Sequence, residues 1–585
     1  MRRVYHHPAR GHPGRAQAVI LLLATAAAAA GLGLLPRMAL PYAGPRAWAG
    51  PLAFDGARAW RDLRALATAF PHRWSGGPDR AAAADWLARE LEAMALEVHR
   101  DRFDAWVGGP RPTTLENIWA VSPGAGRPDE IIVLVGNYDM APTSVQAASD
   151  TAGHVATILE LARVLTARPH RRTLLFLFPD GEEWGMLGAR RFVRTFPRRA
   201  QIVAALSIED LDPGPLRELG IDGTGQFRGF APMWLRALAA DAAAREGYPA
   251  GERGPLVEWV QRSLLISSTD QGPFLERGIA AIDLAGWTDD AALKDRVYHL
   301  PDDTIEHMRT ASLRAYGRIQ ERIVRALDAM PEGLREPSVY LLLAPDRVVP
   351  AGPLLAVQLL VFAPLAAALA LRLGGAVTLR AAALEWLALA VVLAVLLLWV
   401  DVVKALPLVG LLPRFALYAP PPRHPLLTTV LWPALLLPLA VLAAAASAVR
   451  SLLRSLRGSS QQTEGRIAAL LAAQALLSAV AVAYNPFAAV TFLLVPAWLW
   501  IWIRPRRHGP GRLLNGLLVA AGFLVVVVLF AQYAAMLRVG PYILWYVYLA
   551  IAYGQFTLTQ ITLALATVAV AARLLAVAAL PATGP

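Results

Sequence analysis

Residues 173–178 read TLLFLF and residues 179–183 read PDGEE, so an apolar run changes abruptly into an acidic one. A run of this length predicts a buried strand, and the proline and glycine that follow predict where it ends. Ile131–Val135 and Ile202–Ile208 are likewise followed by polar residues. In sheets with parallel strands, ligands bind beyond the carboxyl ends of the strands. We therefore expect the polar residues after these strands to form a site.

Helical patterns alternate with these strands. Apolar residues recur with helical spacing in Asp79–Ala95, and Asp150–Thr166 is a second predicted helix with Asp150 at or near its start. Leu115–Val121 is a further predicted strand, and Met233–Arg245 and Thr304–Met330 are further predicted helices. This alternation predicts an α/β fold, a three-layer sandwich around a mostly parallel mixed sheet.

Composition sets this region apart from the rest of the 585-residue chain. Of all residues, 56% are hydrophobic and 17% are charged, whereas an average soluble domain carries roughly a quarter charged residues. The apolar excess consists of nearly continuous alanine, leucine and valine. We predict one soluble domain at residues 50–345 and an all-α, polytopic transmembrane domain of about seven helices at residues 350–585. The chain has no cysteine, which excludes disulfides, cysteine-ligated zinc and a cysteine nucleophile.

The N-terminal sequence predicts a membrane anchor. Ala18–Leu35 is an apolar run preceded by several arginines. We predict a basic cytoplasmic segment at residues 1–17 and a transmembrane signal anchor at residues 18–36. Ala47-Trp48-Ala49 resembles a cleavage site, so a removable signal peptide is the alternative.

Arginine-rich loops predict the orientation of the chain. Most basic residues of the membrane half lie in Arg372–Arg380, Arg450–Arg466 and Arg504–Arg512. Basic loops stay in the cytoplasm, so the domain at residues 50–345 is expected outside it. We predict a multi-pass protein of the cell membrane, in contact with the lipid bilayer and, through its C-terminal spans, with other membrane proteins. This topology also accounts for the formal net charge of +12, so nucleic acid is not expected as a partner.

The candidates for ionisable groups inside the membrane are Glu385, Asp401 and Lys404. Ionisable residues inside a membrane can mark a transport path. Asp401 and Lys404 lie near the end of a predicted span, where side chains reach the interface. Pairing or anchoring is therefore the favoured interpretation, and transport is the alternative.

Carboxylates and one histidine recur where the predicted strands give way to loops. The residues concerned are Asp139, Asp150, Glu182, Glu183, Glu209, Asp210, Asp270 and His299. Oxygen and imidazole ligands without cysteine suit a hydrolytic zinc site that keeps one coordination position open. Adjacent glutamates can divide the work, since one binds the metal while the other accepts a proton from water.

Three segments together carry a specific pattern. Glu182–Ala189 reads EEWGMLGA, Asp150 is followed by Thr-Ala-Gly, and Tyr298–Thr304 reads YHLPDDT. In this order they resemble the zinc aminopeptidase and glutaminyl cyclase family, metallopeptidase family twenty-eight. That family shows an aspartate that opens a helix, then Glu-Glu-x-Gly-x-x-Gly-(Ser/Ala) after a strand, then a C-terminal histidine. The resemblance covers Gly50–Met330.

The resemblance implies a role for each of these residues. By analogy with the family, a zinc ion is held by Asp150, Glu183 and His299. Glu182 would act as the general base, and Asp139 would orient a neighbouring ligand. These roles imply hydrolysis of a peptide bond.

The resemblance departs from the family at a second zinc position. Glu209, with Asp210 as its substitute, occupies the acidic position that ligates a second zinc in the family. The family has histidine where this chain has Asn137, and a neutral amide is a poor zinc ligand. One zinc is therefore expected, with two as the alternative. His154, one helical turn after Asp150, could compensate, but we interpret it as an ordinary surface or core histidine.

The resemblance also implies a function. Asp270 and Asn137 are expected to contact the substrate, and Asp270 or Glu209 could bind its N-terminal ammonium group. We predict a membrane-anchored, zinc-dependent exopeptidase of the aminopeptidase type that acts on peptide or protein N-termini. A glutaminyl cyclase is one alternative. The other is a non-catalytic scaffold resembling the attachment subunit of the glycosylphosphatidylinositol transamidase.

Overall fold

The chain falls into two compact units. The structure, a computed structural model, describes residues 13–107, 111–251, 254–331, 339–344, 346–373, 379–405, 460–505, 509–536, 540 and 543–578. Within these ranges, one unit comprises residues 40–348. The other comprises the N-terminal helix and the described residues from 349 onwards.

The strands of the described residues form two sheets. They are β1 (Leu40–Pro41), β2 (Glu97–Ala105), β3 (Thr113–Ser122), β4 (Arg127–Val135), β5 (Arg172–Phe178), β6 (Ile202–Leu211), β7 (Glu218–Asp222), β8 (Ala250–Gly251), β9 (Ala281–Trp287), β10 (Tyr340–Ala344) and β11 (Arg347–Pro350). The large sheet has the order β2-β3-β5-β4-β6-β9-β7-β8, and the small sheet has the order β1-β11-β10. In the large sheet, β5, β4, β6 and β9 run parallel to one another, while β2, β3 and β7 pair with antiparallel neighbours.

Helices cover both faces of the large sheet. After α1 (Pro13–Leu34) they are α2 (Gly56–Ala69), α3 (Arg80–Glu92), α4 (Gly153–Thr166), α5 (Leu187–Thr195), α6 (Met233–Arg245), α7 (Pro255–Leu264), α8 (Gln271–Glu276), α9 (Ala291–Val297) and α10 (Thr310–Ala329). The core on one face includes residues of α2, α4, α6 and α10, and the core on the other face includes residues of α5 and α8. The predicted three-layer sandwich around a mixed, largely parallel sheet is confirmed.

Strand alternation divides the side chains of the central strands between the two cores. In β4, Ile132 and Leu134 belong to the core on the α4 face, while Val133 and Val135 belong to the core on the α5 face. The first ten residues of α4 are all buried, so the polar groups at its start are enclosed by the fold. The carboxyl edge of the sheet thus brings polar residues from both faces into a buried space.

The second unit is helical. Its remaining helices are α11 (Ala351–Leu360), α12 (Ala363–Leu373), α13 (Leu379–Ala405), α14 (Ser460–Tyr484), α15 (Pro486–Ala488), α16 (Val495–Trp500), α17 (Gly509–Gly522), α18 (Leu524–Met536), α19 (Ile543–Ala552) and α20 (Leu558–Ala578). Five helical segments of the described chain are long and apolar enough to cross a membrane: Arg15–Met38, Ala351–Arg372, Ala382–Ala405, Thr463–Tyr484 and Leu558–Ala578. The bent pair α17 and α18 adds a sixth if it counts as one span.

These helices correspond to most of the predicted spans. The predicted span Pro425–Val449 lies outside the described residues. Residues 486–500 form a shorter apolar helix instead of a full span. Of the two spans predicted in Pro541–Leu580, the first is the short helix α19 and the second is α20.

Candidate active site and metal centre

The predicted site residues gather at the carboxyl edge of the parallel strands. Asn137 and Asp139 follow β4, Glu182 and Glu183 follow β5, and Asp210 lies at the end of β6. The turn after β5 depends on glycine, because a Cβ atom on Gly188 would lie 2.6 Å from the carbonyl oxygen of Asp180. The Gly-x-x-Gly pattern therefore lets the helix α5 start directly behind the two glutamates.

The principal group consists of Asp150, Glu183 and His299. One ligand atom of each lies within 4.8 Å of the others, and all three side chains are buried. The Nε2 atom of His299 is 2.8 Å from Oδ2 of Asp150 and 3.5 Å from Oε1 of Glu183. Two carboxylates and one imidazole are a donor set that suits zinc and leaves a coordination position for substrate or water. These residues therefore fit the predicted zinc ligands.

The electrostatics of this group suit a cation. Burial lowers the pKa of His299, but the carboxylates of Glu183 and Asp150 outweigh this effect and raise it to about 10. Burial raises the pKa of Glu183 to about 8. The metal-free site therefore holds protons at neutral pH where a zinc ion would otherwise supply positive charge.

An irregular loop presents Asp150 to the site. The backbone of Asp150 is not helical, with φ −127° and ψ 89°, and α4 begins only at Gly153. The carboxylate of Asp303 accepts hydrogen bonds from the backbone N–H groups of Ser149, at 2.7 Å, and Asp150, at 3.2 Å. Asp303 thus ties this loop to the segment that carries His299.

A second group shares Asp150 with the first. One ligand atom each of Asp150, His154 and Asp210 lies within 4.8 Å of the others. The structure therefore places Asp210 beside Asp150, and it also places His154 there, which the sequence interpretation treats as an ordinary histidine. Both outcomes bear on the number of metal ions.

Glu209 lies apart from both groups, and its assignment as a metal ligand stays a prediction. It belongs to neither group of possible ligands among the described residues. Its Oε1 accepts a hydrogen bond of 2.7 Å from Ser207, and burial and the nearby carboxylate of Asp270 raise its pKa well above its usual range. Glu209 lies near Asp270, which precedes α8, whereas Asp210 lies beside Asp150.

Glu182 lies near the carboxyl groups of Glu183, Glu209 and Asp270. Burial and the carboxylates of Glu183, Glu209 and Asp270 raise its pKa well above its usual range. Its Oε1 atom is buried and has no hydrogen-bond partner among the described residues. A carboxyl group in this position can exchange a proton with a water molecule or an amine.

Asp139 holds the turn that carries Glu182. Its Oδ1 accepts a hydrogen bond of 3.1 Å from the backbone N–H of Glu182, and its Oδ2 accepts one of 3.1 Å from Ser75. Burial, with the carboxylate of Asp180, raises the pKa of Asp139 to about 7. Asp139 therefore positions Glu182 as well as Asn137, whose Nδ2 lies 3.3 Å from Oδ1 of Asp139.

Asp270 is a buried carboxyl group near Glu209. Its side chain is 0% exposed, and within the described part of the chain neither of its oxygens has a hydrogen-bond partner. Burial raises its pKa well above its usual range. Asp270, Glu209 and Glu182 together form a buried acidic cluster.

Sequence reasoning missed Tyr298. Its ring stacks on the imidazole of His299 with ring centroids 3.9 Å apart. The residue is 37% exposed, but burial around its hydroxyl group and the carboxylates of Asp210 and Asp150 raise the pKa of Tyr298 well above its usual range, so this group stays a hydrogen-bond donor. Its position next to His299 in the chain is the only signal that could have drawn attention to it.

Comparisons with known proteins identify the family of this domain. Residues 117–324 match the family described as Peptidase family M28. A probable zinc metalloprotease of Pyrenophora tritici-repentis is 28% identical over 188 residues, which cover 29% of this chain and 39% of that protein. A vacuolar membrane protease of Candida albicans is 25% identical over 289 residues, covering 48% of this chain and 31% of that protein.

A comparison with solved structures finds a further match. The structure of BSAP, a zinc aminopeptidase from Bacillus subtilis, is 16% identical with a TM-score of 0.40, and the match covers 47% of this chain and 96% of that one. The chain spans about two fifths or less of the length of the two proteases named above. Its similarity to them is confined to part of each protein. The predicted family is confirmed, and the chain carries a peptidase family M28 domain over residues 117–324.

Proposed function

We propose that this protein is a membrane-anchored, zinc-dependent exopeptidase that acts on peptide N-termini. The observation that carries the proposal is the buried group of Asp150, Glu183 and His299 with Glu182 beside it. The relatives named as a zinc metalloprotease and as a vacuolar membrane protease support zinc-dependent proteolysis by a membrane protein.

The roles of the side chains follow from their positions. A zinc ion held by Asp150, Glu183 and His299 would polarise a peptide carbonyl group and make water more acidic. Glu182 accepts the proton of the attacking water and returns it to the leaving amine. Burial raises the pKa of Glu182, so its ionised carboxylate is a stronger base toward the water, and the carboxyl group then gives the proton to the nitrogen as the peptide bond breaks. Asp139 keeps Glu182 in place through its backbone N–H.

The acidic cluster supports action at an N-terminus. The side chains of Asp270, Glu209 and Glu182 are buried. The two carboxyl oxygen atoms of Asp270 have no hydrogen-bond partner among the described residues. A peptide N-terminus carries an ammonium group, whose three N–H donors and positive charge would satisfy such carboxylates. An internal peptide segment carries no such charge, which is why we propose an exopeptidase.

The proposal is tested by two neighbouring substitutions in the full chain, purified in detergent. Glu182→Gln removes the proton acceptor and should lower kcat on aminoacyl substrates about a hundredfold to ten-thousandfold, with zinc content unchanged. Glu183→Gln should lower both zinc content and activity. Full activity of Glu182→Gln would contradict the proposed mechanism. A wild-type protein that binds zinc but cleaves no peptide would instead favour the scaffold function.

A glutaminyl cyclase is the second candidate. The ligands of one zinc ion, Asp150, Glu183 and His299, and the acidic cluster also suit this enzyme. Cyclisation of an N-terminal glutamine releases ammonia, whereas exopeptidase action releases a free amino acid. Incubation with a peptide that begins with glutamine, followed by mass spectrometry, therefore separates the two activities.

We also propose that residues 40–348 lie outside the cytoplasm. The support is the arginine content of residues 372–380 and 504–512, which the positive-inside rule assigns to the cytoplasm. Protease added to intact cells should then digest residues 40–348 and spare residues 504–512. Protection of residues 40–348 would reverse the orientation.

A further inference from the structure

His154 is a fully buried histidine on the first turn of α4. One of its ring nitrogens lies within 4.8 Å of a carboxylate oxygen of Asp150 and of one of Asp210. These two oxygens also lie within 4.8 Å of each other. Two neighbouring carboxylates repel each other unless a proton or a cation lies near them. His154 therefore lies beside two carboxyl groups, and one of them, Asp150, also contacts His299.

The hydrogen bonding of His154 defines its tautomer. Its Nε2 atom lies 2.8 Å from the carbonyl oxygen of Asn137, and a carbonyl oxygen only accepts hydrogen bonds. Nε2 therefore carries the proton, and Nδ1 keeps its lone pair. Nδ1 is buried and has no hydrogen-bond partner among the described residues. A neutral imidazole with one nitrogen bonded to a carbonyl oxygen and the other free is the usual state of a metal-binding histidine.

Asn137 provides a second atom of the same kind. Its side chain is 1% exposed, and its Nδ2 atom donates to the backbone oxygen of Asp139 at 3.2 Å. The amide oxygen Oδ1 is buried, and no donor reaches it from the described part of the chain. Two buried acceptors, Oδ1 of Asn137 and Nδ1 of His154, thus have no donor among the described residues.

The half-buried His170 shows a different pattern. His170 has Nε2 2.8 Å from the hydroxyl group of Ser122 and Nδ1 2.6 Å from the carbonyl oxygen of Arg172. Both of its nitrogens are therefore satisfied by protein groups. His154 has only one partner of this kind, and this contrast argues against a purely structural role for it.

We propose that His154, together with Asp150 and Asp210, holds a second zinc ion, so that histidine on α4 replaces the ligand lost at Asn137. The proposal rests on the proposed function, because Asp150 is shared with the zinc ion held by Glu183 and His299. Two carboxylates and an imidazole give this position the same donor types as the first. The backbone carbonyl oxygen of Asn137 orients His154 through its contact with Nε2.

The proposal is tested by counting zinc in the full chain, purified in detergent and dialysed against a low concentration of zinc. We expect about two zinc ions per wild-type chain and about one per chain of His154→Ala. His170→Ala is the matched control and should keep about two. Cobalt in place of zinc gives an absorption spectrum that reports each site, and His154→Ala should lose one component of it.

A rescue variant makes the test independent of folding defects. In the double variant His154→Ala with Asn137→His, the imidazole returns to the position that the family uses, and the second zinc ion should return with it. Equal zinc content of wild type and His154→Ala would overturn the proposal, whether that content is one or two. A content of one with peptidase activity would overturn it while the proposed function stands. A wild type with no zinc and no activity would overturn both.

Discussion

The guanidinium group of Arg73 donates a hydrogen bond of 2.8 Å to the carbonyl oxygen of Ala147, three residues before Asp150. It also donates to the carbonyl oxygens of Gln146, at 2.7 Å, and Tyr138, at 3.1 Å. Arg73 is 0% exposed. It therefore fastens the loop that presents Asp150 to the end of β4, and it stabilises the left-handed backbone of Ala147, whose φ is 47°.

We expect Arg73→Lys to weaken zinc binding about tenfold to a hundredfold, which is the usual effect of substituting a residue that orients a metal ligand. A lysine has a single ammonium group and cannot reach three carbonyl oxygens at once. Competition with a chelator measures the affinity. Arg172→Lys is the matched control, because Arg172 is also buried and donates to the carbonyl oxygens of Leu327, Asp328 and Met330. Arg172 lies at the start of β5, whereas the site follows the end of this strand. An unchanged zinc affinity in Arg73→Lys would contradict this role.

The zinc affinity of the first site should depend steeply on pH. With the pKa of His299 near 10 and that of Glu183 near 8, both groups hold a proton at pH 7 in the metal-free protein. Zinc binds only their deprotonated forms, so binding of the first zinc equivalent should release about two protons. The affinity should then rise about a hundredfold for each pH unit between pH 6 and 7, and less steeply above pH 8.

Calorimetry in buffers of different ionisation enthalpy counts these protons. Glu183→Gln lacks one of the two titrating groups and should release about one proton, although it binds zinc more weakly. An affinity that stays constant from pH 6 to pH 8 would show that neither group is protonated in the metal-free site.

Tyr298→Phe should lower kcat about a hundredfold and leave zinc content unchanged. The ring would still stack on His299, but the hydroxyl donor beside the carboxylates of the site would be lost, and losing one donor to a developing oxyanion costs about this much. Tyr316→Phe is the control, because the hydroxyl group of Tyr316 is engaged by the carbonyl oxygens of Leu284 and Glu209. If both variants keep wild-type kcat, Tyr298 has no part in the reaction.

The sequence predicts the strands that carry the site, because their apolar runs end abruptly in acidic residues. Met233–Arg245 also matches α6 at both ends. The sequence does not predict β2, because charged and apolar residues alternate along this strand and none of its residues is fully buried. It also misses the short strands β7 and β8, whose pairing depends on partners distant in the chain.

The choice between Glu209 and Asp210 shows the limit for the site itself. Asp210 lies beside Asp150 whereas Glu209 lies near Asp270, so shifting the assignment by one residue moves the carboxylate to a different part of the site. The role of His154 depends on a distance between α4 and the end of β6, which spacing along the chain does not contain. Motifs within one segment are therefore predictable, whereas ligand sets built from several segments need the fold.

Glu385 is a buried carboxylate within the helical unit, and two arginines bind it. It contacts the guanidinium group of Arg466 at 2.5 Å and that of Arg573 at 2.8 Å. Glu385 lies near the start of α13, Arg466 near the start of α14 and Arg573 near the end of α20. This arrangement fastens three helices at one end and agrees with the interpretation of Glu385 as a pairing residue.

We therefore expect Glu385→Gln to destabilise the helical unit strongly. It leaves two buried arginines without a counter-charge, and breaking a buried ion pair from one side costs about 3–5 kcal/mol. The matched control is Glu464→Gln, because Glu464 pairs with Arg372 but its side chain is 37% exposed, where an ion pair contributes about 1 kcal/mol or less. Thermal unfolding of the full chain in detergent should show a clearly lower midpoint for Glu385→Gln than for Glu464→Gln. Equal midpoints would mean that the triad does not hold the helices together.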